Sequence, residues 1–419
     1  MTNFLDLQPQ ELPEPTYLVG GWVRNLLMTY HHLPFCAKSK LDLDLVTANF
    51  AVEMGADLAR KHGAGYVVLD RDRQIARLVF ADATVDFARQ VGDNILTDLS
   101  KRDFCMNAIA MPCNHFATLT QPLQTADLER LIDPHGGQAD LWQRQVRMVA
   151  PENLQADPLR IVRGYRQAAQ LGFELEKYTR LTSTKLACSL GSVAAERVTA
   201  ELFYLLEMPG GRDWLIKAVQ DQILATWLPN NLRVERLNQV DRAIAWLKDR
   251  YQSLSTYFAA SLAGDRSIAA NTRLIALVDS RPTRLELSKV EQKFGIILTR
   301  SLQQLKTLLH SHTILEQYDL FQASGNSLPA VVAIALAEGI SPEQLCPWLE
   351  QWLDPNHPIA HPLTLVSGDQ IKQALNLAPS PKIGQLLTKI RLAQIQGIIT
   401  DAAEAIAYAT NLLAQEHCP

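Results

Sequence analysis

The sequence predicts an α+β protein, with an N-terminal head built on a mixed or antiparallel sheet and helices, followed by an all-α remainder. Three observations predict it. Over the first hundred or so residues, short runs rich in β-branched and aromatic residues alternate with helix-like stretches. From about Pro151 a helical spacing of apolar residues takes over almost throughout. At 419 residues the chain is too long for one ordinary core, so two to four domains are expected.

Strands are expected at 17–20, 41–48, 66–70, 75–80 and 84–88, bounded by Gly, Asn and Asp. Between the first two, YLVGGWVRNLL reads as strand, Gly20-Gly21, then helix. Farther on, Leu159, Val162, Tyr165 and Ala169 recur at spacings of three and four on one helical stripe, and Gly172 stands where that helix should end. The Pro-rich stretch LDPNHPIAHPL, residues 353–363, marks a break before a last helical segment that runs to the C-terminus.

Composition, 47% hydrophobic and 20% charged, is that of an ordinary globular protein. The apolar stretches are interrupted short of a membrane-spanning length, and MTNFLDLQPQELPEP lacks a basic start and an apolar signal core, so a cytoplasmic location is expected. Six cysteines, at 36, 105, 113, 188, 346 and 418, form no C-x-x-C pair; reduced thiols are the expectation. A net charge of −4 gives no global attraction to nucleic acid, so an RNA partner would be held by local basic patches.

The chemistry begins at LDLDLVTA. A strand there puts Asp42 and Asp44 on one face and Leu41, Leu43 and Leu45 on the other. Adjacent carboxylates suit hard cations such as Mg²⁺, which combine a carboxylate or two with substrate phosphates. Solvent-facing aspartates on an amphipathic strand are the plain alternative. Paired glycines at a helix start let backbone amides approach an anion, with Arg24 one turn on, which makes a triphosphate cradle or simply a tight turn. Together the two motifs supply the phosphate holder and the metal holder that nucleotidyl transfer needs.

Several motifs in order then resemble the class II tRNA nucleotidyltransferases, the bacterial CCA-adding enzymes and the related poly(A) polymerases. LVGGWVRNLL with LDLDLVT is similar to the catalytic motif, KRDFCMNAIA to R-R-D-F-T-x-N-A, and ADPLRIVRGYRQAAQLGF to E-D-x-x-R with its helix. DPHGGQADLWQRQVRMV and AAERVTAEL also match, and the run LTLVSGDQIKQALNLAPSPKIGQLLTKIRLAQIQGIITDAAEAI is similar to the tail of many members. Asn25, Lys101, Cys105 and Ala156 depart from the family's Asp, Arg, Thr and Glu.

The resemblance implies a head at 1–140, a neck reading the nucleotide base at 141–206, a helical body at 207–352 and a tRNA-binding tail at 353–419, with the all-α part elongated. It implies that Asp42 and Asp44 hold Mg²⁺ while Gly20, Gly21 and Arg24 bind the triphosphate. Arg102, Asp103 and Asn107 would contact the sugar and phosphates of the incoming nucleotide. Asp86 is a third carboxylate near the metals or a structural aspartate. Asp157, a candidate N-cap before Pro158, would accept from an exocyclic amine while Arg160 donates to the adjacent ring acceptor. Cytosine and adenine share that polarity; uracil and guanine reverse it. Arg163 and Arg166 extend the helix as phosphate contacts or solvated charge. Lys372, Lys382, Lys389 and Arg391 lie in a stretch, 370–400, without acidic residues, an RNA-backbone patch or a mildly basic surface.

The expected activity is addition of CMP from CTP to the 3′ end of tRNA. Between Asp86 and Arg102 the chain is short, with one turn-like Gly92, where members completing CCA carry a longer basic loop. CC addition is therefore expected, with a separate enzyme adding the terminal A to the same tRNA. Use of ATP in full CCA or A addition, and poly(A) synthesis, are the alternatives within the family. A catalytically silent RNA-binding protein and a signalling nucleotidyltransferase are the alternatives outside it. No His-Asp dipeptide suggests an attached metal phosphohydrolase domain.

Overall fold

A computed structural model describes residues 8–34, 40–115, 122–279 and 283–416. Cys36 and Cys418 lie outside them. The chain divides into two compact units, Met1–Asn230 with Thr283–Glu286, and Asn231–Pro282 with Leu287–Pro419.

The first unit opens with β1 (Thr16–Val19), α1 (Gly20–Tyr30), β2 (Leu41–Thr47), α2 (Ala51–His62), β3 (Gly65–Asp70), β4 (Ile75–Val79), β5 (Ala83–Arg89), α3 (Ile95–Ser100) and β6 (Ala110–Pro112). These strands form one mixed sheet in the order β3-β4-β5-β2-β1-β6. Only β2 and β5 run parallel; the other neighbours are antiparallel. The five expected strands are present, within a residue or two at each end. The sixth has three residues, too few to show an alternation.

Alternation along the strands determines what the sheet buries. Leu43, Leu45, Leu78, Val85 and Phe87 are fully buried on the face that packs α2 and α1. Gly55 lets α2 come close: a Cβ there would already touch Ala76, Leu78 and Tyr66 at 3.4 Å. Asp42, Asp44, Arg77, Thr84 and Asp86 fall on the opposite face.

Helices follow: α4 (Thr125–Leu128), α5 (Gly137–Gln143), α6 (Pro151–Ala156), α7 (Leu159–Leu171), α8 (Lys177–Leu186), α9 (Ala195–Glu207) and α10 (Gly211–Gln220). Helix α7 packs against α9 and α10. Its buried stripe runs through Leu159, Val162, Tyr165 and Ala168, with Ala169 at its margin, and Gly172 closes it at φ +67° as expected.

The second unit is helical apart from a short antiparallel ribbon, Ser261–Ala263 with Arg266–Ser267, which departs from the all-α expectation: α11 (Val234–Arg250), α12 (Ser253–Ala259), α13 (Ile268–Val278), α14 (Lys289–Leu308), α15 (Ile314–Ser324), α16 (Leu328–Ala337), α17 (Pro342–Leu353), α18 (Gly368–Ala374), α19 (Pro381–Ile395) and α20 (Ala402–Glu416). Helix α16 is buried nearly all round by α11, α13, α14 and α17. With α15 it makes an apolar helical run, Ile314–Ala337, long enough to cross a membrane by composition, yet 72% of its most apolar window is buried in the protein. This is the central helix of a core. A separate small core, including Ile371, Leu386, Ile390 and Ala405, joins α18 to α20 beyond the Pro-rich break.

Cys105, Cys113, Cys188 and Cys346 are free thiols. Burial pushes Cys105 and Cys113 up to about 12, so both are neutral packing groups.

Candidate active site

Strand register arranges the open sheet face in rows. Asp44 lies beside Asp86 on β5, which lies beside Arg77 on β4. One step along, Asp42 lies beside Thr84 and Val79; one step the other way come Val46, Ala88 and Ile75. Asp42 is exposed and accepts from Thr84 Oγ1 at 2.8 Å, and Asp44 is half-buried. Among the described residues no three carboxylate, thiol or imidazole groups converge as a complete metal cage. Two neighbouring carboxylates, one of them open to solvent, are a donor set that fits a hard cation completed by substrate oxygens and water.

Asp86 does not join them as an open ligand. Its two oxygens accept from Arg77 Nε and Nη2, both at 2.7 Å, so a third metal carboxylate would require this bidentate pair to part.

Gly20 follows β1 and begins α1 at φ +73°. A Cβ there would stand 2.7 Å from Asp44 Oδ2, so both the backbone conformation and the carboxylate's position require glycine. Gly20→Ala should cost roughly 1–3 kcal/mol, from backbone strain and displacement of Asp44. A thermal melt together with an activity assay checks this, and both should fall.

Behind the carboxylates runs a buried polar chain. Arg24 donates from Nη1 to Asn107 Oδ1 at 2.9 Å, and from Nε and Nη2 to Asn25 Oδ1 at 3.2 and 3.0 Å. Asn107 Nδ2 donates to Asp103 Oδ1 and Gln167 Oε1. Asp103 Oδ2 accepts from Arg163 Nε and Nη2 at 3.2 and 2.9 Å. Burial, reinforced by the positive Arg166 and Arg163, pushes Arg24 down to about 10 against the pull of Asp103 and Asp44, so it stays charged at neutral pH. For Asp103, burial works to raise the carboxyl, but Arg163, Asn107 and the Phe104 amide outweigh it and hold it below the usual carboxylate range.

A cleft of about 900 Å³ opens beside this chain, with Val46, Ala88 and Ile75 among its walls. The row next to the carboxylates therefore lines it. Arg102, Asp103, Asp157, Arg160 and Arg163 also line it; seven Lys or Arg side chains against four Asp make it a site for an anion. Arg24 and Asn107 are not among the lining residues and reach it through Asp103. Arg166 is turned to Glu201 Oε2 at 2.6 Å and to Gln170, with its guanidinium over the Tyr204 ring, and is neither solvated nor part of the lining.

A Poly A polymerase head domain model matches residues 16–147, and a model described as the probable RNA and SrmB-binding site of polymerase A matches 172–231. A CC-adding tRNA nucleotidyltransferase of Synechocystis sp. is 38% identical over 96% of this chain and 94% of its own. The chain belongs to the class II tRNA nucleotidyltransferases. A CC-adding tRNA nucleotidyltransferase of Geobacter sulfurreducens is 30% identical over 94% of this chain and 90% of its own. The solved apo structure of a CCA-adding enzyme shares the fold at a TM-score of 0.68 and 21% identity, covering 96% of this chain and 90% of that one.

In this nucleotidyltransferase the two residues expected to read the base each have other partners within the protein. Asp157 Oδ2 accepts from Arg197 Nη2 at 3.2 Å and its Oδ1 takes the Leu159 amide at 3.3 Å; α7 begins at Leu159 with Pro158 in the cap position, so Asp157 stands one residue before the cap it was expected to form. Arg160 Nη1 donates to the Lys101 and Asn153 carbonyls at 2.8 and 3.3 Å. Main-chain oxygens thus hold Arg160, while exposed Ala156 only lines the cleft.

Arg197 was not singled out from the sequence, although AAERVTAEL was; its charge on α9 is an ordinary surface signal until α9 packs against α7. Arg77 was missed because nothing in IARLV announces that it faces Asp86. Lys101, Arg73 and Arg89 were missed as cleft residues for the same reason.

The connection from β5 to α3 is only residues 90–94, and it is closely fastened. Asn94 Oδ1 accepts from Thr97 N at 2.9 Å, and the Val91 amide donates to buried Asp98 Oδ1 at 3.0 Å. Asp98 Oδ2 also takes Arg102 Nε and Nη2, at 3.1 and 2.9 Å. At Gly92, φ +76°, a Cβ would stand 2.5 Å from Thr97 Cγ2.

In the second unit, Lys372 on α18 pairs with Asp369 at 2.8 Å on the surface. Lys382 and Lys389 lie on α19. Arg391 instead donates to Pro362 O and Thr364 Oγ1, fastening the Pro-rich connection to α19.

Proposed function

We propose that this enzyme adds two CMP residues from CTP to the 3′ end of tRNA and stops. The observation that carries the reading is the short, capped, hydrogen-bonded connection at 90–94, which supplies cleft residues and has no slack to re-aim the base-reading pair for a larger purine. The two relatives named as CC-adding enzymes support it. A second enzyme would then supply the terminal A.

Asp42 and Asp44 would hold Mg²⁺, which when bound supplies charge at the attacking and leaving oxygens of an in-line displacement, the two-metal arrangement. The Gly20-Gly21 start of α1 and Arg102 bind the triphosphate. Arg24 and Asn107 fix Asp103, and Asp103 aims Arg163 along the cleft. Asp157 accepts the cytosine N4 amine and Arg160 donates to N3, with Arg197 holding the carboxylate in place. Asp86 holds Arg77. Lys372, Lys382 and Lys389 meet the tRNA backbone, and the parts divide as head 1–140, neck 141–206, body 207–352 and tail 353–419.

Three labelled tRNAs, ending at the discriminator base, at C and at CC, incubated with each triphosphate separately, test this. Two C additions, one C addition and no efficient A addition are expected in turn. Addition of A to the CC end at a rate comparable with CTP use overturns the CC-only reading.

Arg160→Ala should reduce discrimination of CTP over UTP by about five- to a hundredfold, the worth of one good bidentate contact, while Arg197→Ala should weaken it less because Asp157 keeps its backbone bond. Relative kcat/KM for the two triphosphates reads both. Unchanged preference in Arg160→Ala refutes its assignment to the base edge.

A further inference from the structure

The face that carries Asp42 and Asp44 is not covered where it reaches the edge of the sheet. Val67 on the edge strand β3 stands beside Arg77, and Val79 stands beside Thr84. Leu69 falls at the register shift between Val68 and Asp70 and is exposed like Val67. Val67 is 50% exposed, Leu69 48% and Val79 37%. The solvated face of a largely antiparallel sheet ordinarily reads polar, and neighbouring exposed aliphatic side chains on such a face mark a contact surface. This strip is continuous with the carboxylates. Strands are spaced about 4.8 Å apart, so Val67 lies about 15 Å from the Asp44 position, across Asp86 and Arg77.

The geometry also says which side is open. The row holding Val46, Ala88 and Ile75 lines the cleft assigned to the incoming nucleotide, whereas the row holding Asp42, Thr84 and Val79 lies on the other side of Asp44 and Asp86. An acceptor whose 3′ oxygen must reach Asp42 and Asp44 without entering the nucleotide cleft has to come across the second row.

We infer that Val67, Leu69 and Val79, with Arg77 between them and the carboxylates, form the platform on which the 3′-terminal nucleotides of the acceptor RNA lie. The aliphatic side chains pack against ribose and base faces, and Arg77, held in place by both Asp86 oxygens, presents positive charge toward the passing phosphates. The inference rests on the reading of the chain as an RNA-extending enzyme. It assigns the acceptor's path, which that reading leaves open.

The test uses the full chain, tRNA ending at the discriminator base, and CTP. Val67→Asp with Leu69→Asp places negative charge on the strip, and Val67→Thr with Leu69→Thr removes apolar surface while keeping strand-favouring residues should the first pair fold poorly. Expected is a rise in KM for tRNA of tenfold or more in the Asp pair and about threefold in the Thr pair, with KM for CTP within twofold of wild type. Val290→Asp, at an equally exposed apolar residue of α14, should change neither constant. A thiouridine near the tRNA 3′ end should crosslink to the peptide 65–79.

A tRNA KM within twofold of wild type in a folded variant pair overturns the inference. So does a shift from dimer to monomer in the Asp pair without a change in tRNA KM, which would make the strip a self-association surface. A wild-type enzyme that extends no RNA removes the proposed function and this inference together; normal extension with an unchanged tRNA KM removes this inference alone.

Discussion

Asp42→Asn and Asp44→Asn should each lower nucleotide addition by about a thousandfold or more, the factor given by roughly 4 kcal/mol of lost transition-state stabilisation. Folding should survive. Asp42 is exposed and accepts from the Thr84 hydroxyl, and Asn still accepts that bond. Asp44 is half-buried against Gly20, and the amide is nearly the same size as the carboxylate. Each variant should therefore melt close to wild type, with ΔΔG near about 0.5 kcal/mol. Direct Mn²⁺ binding gives an activity-free readout, and affinity should fall in both. Turnover within tenfold of wild type, with Mg²⁺ saturating, would remove the metal assignment.

The second large effect is on stability. Asp103→Ala should cost about 3–5 kcal/mol, because it leaves the Arg163 guanidinium, the Asn107 side-chain amide and the Phe104 backbone amide without their shared buried acceptor. Asp103→Asn should cost less, since one oxygen remains. The pH dependence follows from the depressed carboxyl. The folded-state value lies below the unfolded one, so the ionised pair contributes stability above about pH 4 and loses it as pH falls through the folded value. The stability gap between wild type and Asp103→Asn should thus be flat near neutrality and narrow in acid. Urea melts at pH 7 and below pH 4 measure it, and a gap that widens in acid contradicts the sign.

Arg24 shows how a residue can be found correctly and still be placed differently. Its position one turn after Gly20-Gly21 suggested a direct phosphate contact. The structure buries it and spends its donors on Asn25 and Asn107, two amide groups already within recognised motifs. Asp86 is similar. Its parity on β5 correctly puts it in the row of Asp44, but its partner is Arg77 on the strand to the other side.

By itself, the sequence determined five of the six strands of the head sheet, the shared face of Asp42 and Asp44, the glycine turn at 20–21, and the helix that begins near Leu159 and ends at Gly172. Each of these depends on local geometry: a period of two, a period of three to four, or a backbone conformation that glycine alone takes without strain. Tertiary structure alone decided that Asp157 meets Arg197, that backbone carbonyls hold Arg160, that Arg163 closes on Asp103, and that Arg391 fastens a connection. Those partners are separated by tens of residues, and whether two such charges meet depends on strand register and helix packing, which no local spacing records. The open apolar edge of the sheet belongs to the same class: Val67, Leu69 and Val79 read as ordinary strand residues until the order of strands shows that nothing in the described head covers them.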